Sequence, residues 1–366
     1  MGKKKLKSVK RPARIGFLTY IGDTAGCGVI RVITPYLLLN YLNEKDIHVH
    51  TTYMSTYMSE IDVYKQMSFV QFQRSATKQH MKIHNHFKTN IQPSTRLPLI
   101  YEIDDLLTEI PEWNFASHYY AQNIEYIRIM MQESTAIITS TYKLKKVYEK
   151  YNRNVKVILN HLPKYIWGEI TPKHEVYKEG DKIRILWAGS QNHFKHQMME
   201  GTRDGGDFGN DLMDFIRKTT DKYQWVFMGA MPMELDDIKD KIEFHPWQNT
   251  FAYPKYVKSL NADIGIASLE QGLFNECKSN IKSLEFCACG IPGVYTNIEP
   301  YKFMKCVCNS DEEMISYIES LASDIDMRKS VFNNDYNILK DQLWWEESNN
   351  LRKYVNTYLS IMGLKL

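Results

Sequence analysis

The sequence predicts an α/β protein made of two parallel-sheet domains in tandem, and three observations lead there. Short apolar runs alternate with helical stretches along most of the chain, which is the pattern of βαβ units. The alternation runs twice, with one polar, proline-containing interruption near the middle. The length of 366 residues is enough for two separate cores.

The first series opens with "ARIGFLTY" (13–20), a buried strand, followed by "GDTAGCGVIRVITPYLLLNYL", a glycine-containing turn running into a helix. "SFVQFQR" (68–74), "LPLIYEID" (97–104), "TAIITS" (135–140) and "VKVILN" (155–160) read as further strands, with the basic helical stretch "YKLKKVYEKY" between the last two. The segment 161–182, with two prolines and many polar residues, breaks the pattern. The second series runs through "IRILWAGS" (183–190), "YQWVFMGA" (223–230), "KIEFHPW" (241–247), "ADIGIAS" (262–268) and "IPGVYT" (291–296). "NDYNILKDQLWWEESNNLRKYVNTYLSIM" closes the chain as one long helical run, whose Trp344 and Trp345 are too large to stay unpacked. The expected division is a basic arm (1–13), a first domain (14–162), a linker (163–182), a second domain (183–334) and a crossing helix (335–366). Two such domains leave a cleft where loops at the carboxyl ends of the strands face a ligand.

An apolar fraction of 43% and a charged fraction of 24% are those of an ordinary soluble protein. No run approaches the roughly 18 to 20 apolar residues of a membrane span. The basic N-terminus "MGKKKLKSVKRPAR" is not followed by an apolar stretch, so a secretory signal is not expected. Six cysteines, with Cys-x-Cys pairs at 287/289 and 306/308, lack the usual zinc-knuckle spacing and read as reduced thiols of a cytoplasmic protein. The net charge of +3 hides an asymmetry: residues 1–170 hold 23 Lys/Arg against 14 Asp/Glu, and residues 171–366 hold 23 against 29. A first half this basic suits a polyanionic partner, although a lysine-rich surface kept for solubility gives the same count.

Five stretches carry candidate chemistry. "GDTAGCGVIR" places Gly26 and Gly28 after the first strand and Arg31 in the helix that follows, a turn open to an anion or simply a tight turn. "LWAGSQNHFKH" repeats the arrangement with Gly189, Ser190, His193 and Lys195. "LIYEIDDLLTEIPEWN" crowds Glu102, Asp104 and Asp105 at a strand end, where carboxylates can accept protons, bind hydroxyls, hold a metal or cap a loop. "HMKIHNH" offers His80, His84 and His86, with no cysteine nearby to complete a zinc site. In "NECKSNIKSLEFCACGIPGVY", helical spacing puts Lys278, Lys282 and Glu285 on one face and Ile281, Leu284 and Ala288 on another, with Gly290 and Pro292 ending the helix. That charged face suits a polyanion clamp, or a solvated face with one ion pair.

Together "AGCGVIRVITP", "YEIDDLLTEIPEWN", "WAGSQNHF" and "CKSNIKSLEFCACGIPGVYTNIEPY" resemble, in order, segments of GT-B glycosyltransferases of the retaining, family 4-like group found in tailed bacteriophages and some bacteria. The resemblance covers most of the chain. It implies two Rossmann-like domains facing each other across a cleft, with the C-terminal helix packing back across them. It also implies a nucleotide-sugar donor, UDP-sugar first, held by the second domain without a metal. Glu285 would grip the ribose, while Lys278, Lys282, Gly189, Ser190, His193 and Lys195, with Asn280 beside them, would embrace the diphosphate. Gly26, Gly28 and Arg31 would approach from across the cleft, and Glu102, Asp104 and Asp105 would serve catalysis beside the acceptor. The pattern often has a second glutamate eight residues before the ribose-binding one, but here position 277 is Cys, with Glu276 next to it.

The acceptor expected of a basic first domain is duplex DNA carrying hydroxymethylated or hydroxylated cytosine, as tailed phages make, with Arg74, Lys78, His80, Lys82 and Lys88 on its phosphates. The transferred sugar would be a hexose or pentose such as glucose or arabinose. An anionic cell-surface polysaccharide or a protein is the alternative acceptor. Two other readings compete: a metal-dependent enzyme using Glu102, Asp104 and Asp105, and a non-enzymatic DNA-binding protein with aromatics interleaved among its basic residues.

Overall fold

The computed structural model describes residues 13–22, 26–41, 47–54, 67–175, 180–194 and 206–364. The basic arm and Lys195 lie outside them. Twelve strands among the described residues form two six-stranded sheets. The first holds β1 (Ala13–Ile21), β2 (Ile47–Met54), β3 (Phe69–Gln73), β4 (Leu99–Ile103), β5 (Ala136–Thr139) and β6 (Val155–Val157), in the spatial order 2-1-3-4-5-6. The second holds β7 (Arg184–Ala188), β8 (Gln224–Gly229), β9 (Glu243–Pro246), β10 (Ile264–Ala267), β11 (Gly293–Thr296) and β12 (Val307–Cys308), in the order 12-11-10-7-8-9. Every pairing is parallel, and the inner strands are largely buried and rich in apolar residues, as in sheets covered by helices. β3 and β4 are buried at every residue.

Chain order reverses beside β1 in the first sheet and between β7 and β10 in the second. Loops leaving the strands at these reversals diverge and open a crevice at the carboxyl ends. Two strands were not anticipated. β2 pairs at the edge with β1, from Ala13↔Ile47 to Tyr20↔Met54, but its sequence "IHVHTTYM" mixes polar with apolar residues. β12 has only two residues.

The C-terminal run differs from the single helix expected. It forms two helices, Ile325–Leu343 and Asn350–Ile361, with Ser348 and Asn349 at φ 51° and 58° in the break between them. Both adjacent tryptophans lie at the start of the break, and their side chains part there. Trp344 packs with Phe332, Leu339 and Leu343 in the second-domain core, whereas Trp345 joins Tyr354 and Tyr358 in the first-domain core. There the Tyr358 ring stacks on Phe69, with centroids 4.6 Å apart, and lies 5.0 Å from Phe17. No described helix is long and apolar enough to cross a membrane. All six cysteines are free.

Arg31 is a buried tie rather than a ligand contact. Its Nε donates to Glu102 Oε1 at 2.7 Å, and its Nη1 donates to the Ile158 carbonyl at 2.6 Å and Asn160 Oδ1 at 2.8 Å. Asn160 in turn donates to Ser279 Oγ at 2.8 Å, and its carbonyl accepts from Gln342 Nε2 at 3.1 Å. One guanidinium therefore joins the helix after β1 to the ends of β4 and β6, and through Asn160 to the second domain and the C-terminal helix. Removing one member of such a pair strands a charge in the core. Arg31→Met should cost about 3–5 kcal/mol, and adding Glu102→Leu should recover part of the loss, because it removes the carboxylate left unpaired. Denaturant unfolding of the three proteins checks this; additive losses would locate the cost elsewhere.

Asp335 gives a second expectation. Its Oδ1 accepts from the Lys305 amide at 2.9 Å, its Oδ2 is buried without a partner, and burial pushes the carboxyl up to about 7. A folded carboxyl that holds its proton more tightly than the unfolded one favours the fold at low pH. That contribution is lost as pH rises from about 4 to about 7. Asp335→Asn should therefore raise stability by roughly 2 to 4 kcal/mol at pH 8 and leave it unchanged at pH 4, read as melting temperature at the two pH values.

Candidate functional site

The carboxyl ends of both sheets enclose a cleft of about 290 Å³. One wall comes from the first domain: Gly26 and Cys27 after β1, Asp104 and Asp105 after β4, and Asn160 after β6. The facing wall carries Gly189, Ser190 and His193 after β7, Gly229 at the end of β8 and Trp247 after β9. The floor holds Ser268 after β10, then Lys278, Lys282, Glu285 and Tyr301. Direct bonds cross between the walls. Trp113 Nε1 donates to Glu270 Oε2 at 2.7 Å, Asn114 Nδ2 to the Asn192 carbonyl at 2.9 Å, and Thr141 Oγ1 to the Cys277 carbonyl at 3.0 Å.

The helix Ile281–Cys289 ends as its sequence requires, with Gly290 at φ 76° in the left-handed conformation of a C-terminal cap. Its Glu285 Oε2 accepts from Lys282 Nζ at 2.7 Å and from Tyr253 OH at 2.8 Å. Glu285 Oε1 has no partner among the described residues and belongs to a side chain that lines the cleft. Lys278 does not share this helix. It stands in the turn before it, with Nζ 3.7 Å from Asp207 Oδ2. The cation and carboxylate read as one helical face thus come from two neighbouring elements that meet at the same floor.

Asp207 was not singled out in the sequence, although it sits in a glycine-rich acidic stretch, "RDGGDFGND". Its carboxylate is wholly buried, with Oδ2 bound by His193 Nδ1 at 2.6 Å and Oδ1 by the Glu270 amide and Asn275 Nδ2, both at 2.8 Å. Burial opposes its ionisation, but Lys278 and the His193 hydrogen bond outweigh that and hold the carboxyl below its usual range. His193 is lowered as well, because burial and Lys278 reduce its affinity for a proton more than Asp207 raises it. Tyr253 was also missed; one hydroxyl aimed at Glu285 leaves no mark in a sequence.

On the opposite wall, Arg74 Nη1 bonds Asp104 Oδ1 at 3.0 Å, Asp105 Oδ2 at 3.2 Å and Cys27 Sγ at 3.0 Å. Against the cost of burial, Arg74 and Cys27 hold the Asp104 carboxyl low, whereas burial prevails at Asp105 and raises it.

The other expected site residues fall elsewhere. Glu102 is sequestered by Arg31, away from the cleft. Asn280 exchanges hydrogen bonds with the Gln342 amide, at 3.0 and 3.2 Å. Gly28 has helical dihedrals, φ −64° and ψ −33°, and is not part of the cleft lining. Among the expected acceptor contacts, Arg74 is spent on the two aspartates and Lys88 on Glu133 at 2.6 Å, while His80 caps its own helix with Thr77. Lys78 and Lys82 are exposed on the helix Lys78–His86. The three histidines do not converge, since His84 bonds Ser134 Oγ and His86 bonds Asn90. Cys277, at the position of the second glutamate, packs with the first-domain core, and Glu276 pairs with Lys143 at 2.5 Å.

No protein-family model matches the chain, and no curated protein matches it in sequence. Solved structures match its fold over nearly the whole length. A glycosyltransferase from Rickettsia africae ESF-5 superposes with TM-score 0.59 at 13% identity, covering 95% of this chain and 99% of that one. A UDP-forming α,α-trehalose-phosphate synthase from Burkholderia vietnamiensis gives 0.56 at 8% identity, with 96% and 98% covered. A lipopolysaccharide outer core galactosyltransferase gives 0.52 at 10% identity, with 95% and 99% covered. The architecture is the GT-B fold, two parallel α/β sheets opposed across a cleft.

Two glycines hold the cleft wall in shape. A side-chain carbon on Gly189 would meet the Trp187 ring at 2.7 Å and His193 Cδ2 at 3.0 Å, and one on Gly229 (φ +94°) would strike the Gly189 carbonyl. Gly189→Ala should therefore displace the Trp187 and His193 rings and destabilise by about 1–3 kcal/mol. A lowered melting temperature with altered tryptophan emission is the expected signature.

Proposed function

We propose that the protein is a glycosyltransferase that takes a sugar from a nucleoside diphosphate sugar, with UDP-sugar as the donor, and passes it to a hydroxyl acceptor. The observation carrying this reading is the floor of the cleft, where Lys278 and Lys282 stand beside a Glu285 whose Oε1 is open. Cations placed there stabilise the charge that develops as the diphosphate departs, and a carboxylate oxygen suits a pair of ribose hydroxyls. Lys282 and Glu285 satisfy each other, and a bound donor takes over part of each. The GT-B neighbours support sugar transfer as the class of reaction.

The bond from the anomeric carbon to the diphosphate oxygen breaks, and a bond to the acceptor oxygen forms. Asp105, the aspartate with the raised carboxyl, is placed on the facing wall to receive the acceptor's proton, while Asp104 stays ionised against Arg74. This reading invokes no resident metal, and retention of configuration follows the family resemblance. For the acceptor we favour duplex DNA with hydroxymethylated or hydroxylated cytosine, on the basic surplus of the first half and exposed Lys78 and Lys82.

The test is a mass-spectrometric screen of UDP- and GDP-sugars against hydroxymethylated, hydroxylated and plain DNA, with anionic polysaccharide as a parallel acceptor. Transfer should persist in EDTA. Glu285→Ala and Lys282→Ala should each lower kcat/KM by about tenfold to a hundredfold, the cost of one charge-assisted hydrogen bond. Near-normal turnover by either variant would rule out this donor site.

A further inference from the structure

We propose that Asp207 is the positioning residue of this site, fixing His193 so that its Nε2 faces the cleft and takes up a proton from solvent as the donor's diphosphate enters. This rests on the donor reading above and adds to it a proton that moves with binding.

The geometry of Asp207 leaves it little choice of role. A fully buried carboxylate with three donors on its two oxygens is acceptor-only, so the hydrogen shared at 2.6 Å must sit on His193 Nδ1. The other ring nitrogen, Nε2, then carries the lone pair. No described residue bonds it, and the ring lines the cleft beside Gly189 and Ser190. Asp207 itself cannot swing away. Its amide donates to the His193 carbonyl at 2.9 Å, and its own carbonyl accepts from Ser268 Oγ, tying together the loops after β7 and β10.

The charges facing His193 come from three elements. Asp207 lies in the loop before the helix Asn210–Thr219, Lys278 in the turn after the helix Leu273–Glu276, and Lys282 on the helix Ile281–Cys289. The fourth neighbour, the Trp187 ring on β7, is edge-on at 5.6 Å and uncharged. Burial and the two lysines outweigh the one carboxylate and lower the ring's affinity for a proton, which favours the neutral imidazole. A bare Nε2 is a poor neighbour for phosphate oxygens, because acceptor meets acceptor. A bound diphosphate diester brings two negative charges that offset both lysines, which leaves Asp207 and the phosphate acting together on the ring. Nε2 then binds a proton taken from water and donates it to a phosphate oxygen, a charge-assisted bond absent from the empty protein. Affinity should accordingly fall as pH rises between the depressed value of the free ring and the raised value in the complex.

Isothermal titration of UDP-glucose, whose diphosphate diester does not titrate near neutrality, reads this directly when run in two buffers of different ionisation enthalpy. Wild type should take up about half a proton or more per donor bound at pH 7, with Kd rising by up to about tenfold per pH unit inside the window. Asp207→Asn and His193→Gln should each bind with little proton uptake and a flat pH profile; a purely bracing Asp207 would weaken binding equally at every pH and leave the uptake intact. Should Asp207→Asn fail to fold, His193→Gln still decides. Binding by wild type without net proton exchange, or full uptake in His193→Gln, overturns the inference and leaves the donor site standing. Failure of both UDP-glucose and GDP-mannose to bind removes the donor reading itself, and this inference with it.

Discussion

The arrangement of this molecule depends on a cation that never meets solvent. Arg31 is 4% exposed, and its guanidinium holds Glu102, the end of β6 and Asn160 at once. Burying a guanidinium is unfavourable unless every donor finds an oxygen. The folded chain answers with three oxygens, by converging the ends of β4 and β6 on the helix that follows β1. Asn160 then passes the constraint on to Ser279 and Gln342. The first wall of the cleft is thereby tied to the residues just before the helix that carries Lys282 and Glu285.

The same economy of charge governs the cleft. Lys282 is matched by Glu285, Lys278 by Asp207, and Arg74 by Asp104 and Asp105. A site built to hold a dianion by uncompensated lysines would be unfavourable when empty. Here each cation rests on an internal carboxylate, and the anion of the proposed donor would redistribute attachments that already exist. Burial raises both aspartates, but Arg74 and Cys27 outweigh it at Asp104, whereas at Asp105 burial and the neighbouring Asp104 outweigh Arg74.

Most of the fold was legible in the sequence because parallel strands buried on both faces must be apolar runs, and ten of them stood out as such. β2 did not, since an edge strand with histidines and threonines looks like a loop; β12, two residues long, has no pattern at all. The paired tryptophans announced a docked helix but not that the chain would turn between them. The cleft lining was legible where chemistry and position coincide, as at Gly189, His193, Lys282 and Glu285. Arg31, Glu102 and Asn280 misled because a buried polar tie and a ligand contact use the same residue types, and only burial tells them apart. Asp207 and Tyr253 were invisible because they act through a partner far along the chain.

The crossings between the two lobes have a mechanical corollary. The chain leaves the first lobe at Leu162 and comes back at Trp344, and these residues lie side by side in a short parallel ladder, with the Leu162 amide on the Leu343 carbonyl at 2.8 Å and the Trp345 amide on the Leu162 carbonyl at 3.0 Å. Two covalent straps stitched at one place act like the spine of a book. They resist sliding and twisting, because either would shear the stitch, yet they allow the covers to fold about it. Folding about that spine would part the bonds that join the two walls, Trp113 to Glu270, Asn114 to Asn192 and Thr141 to Cys277, so the same contacts that close the cleft set how far it opens.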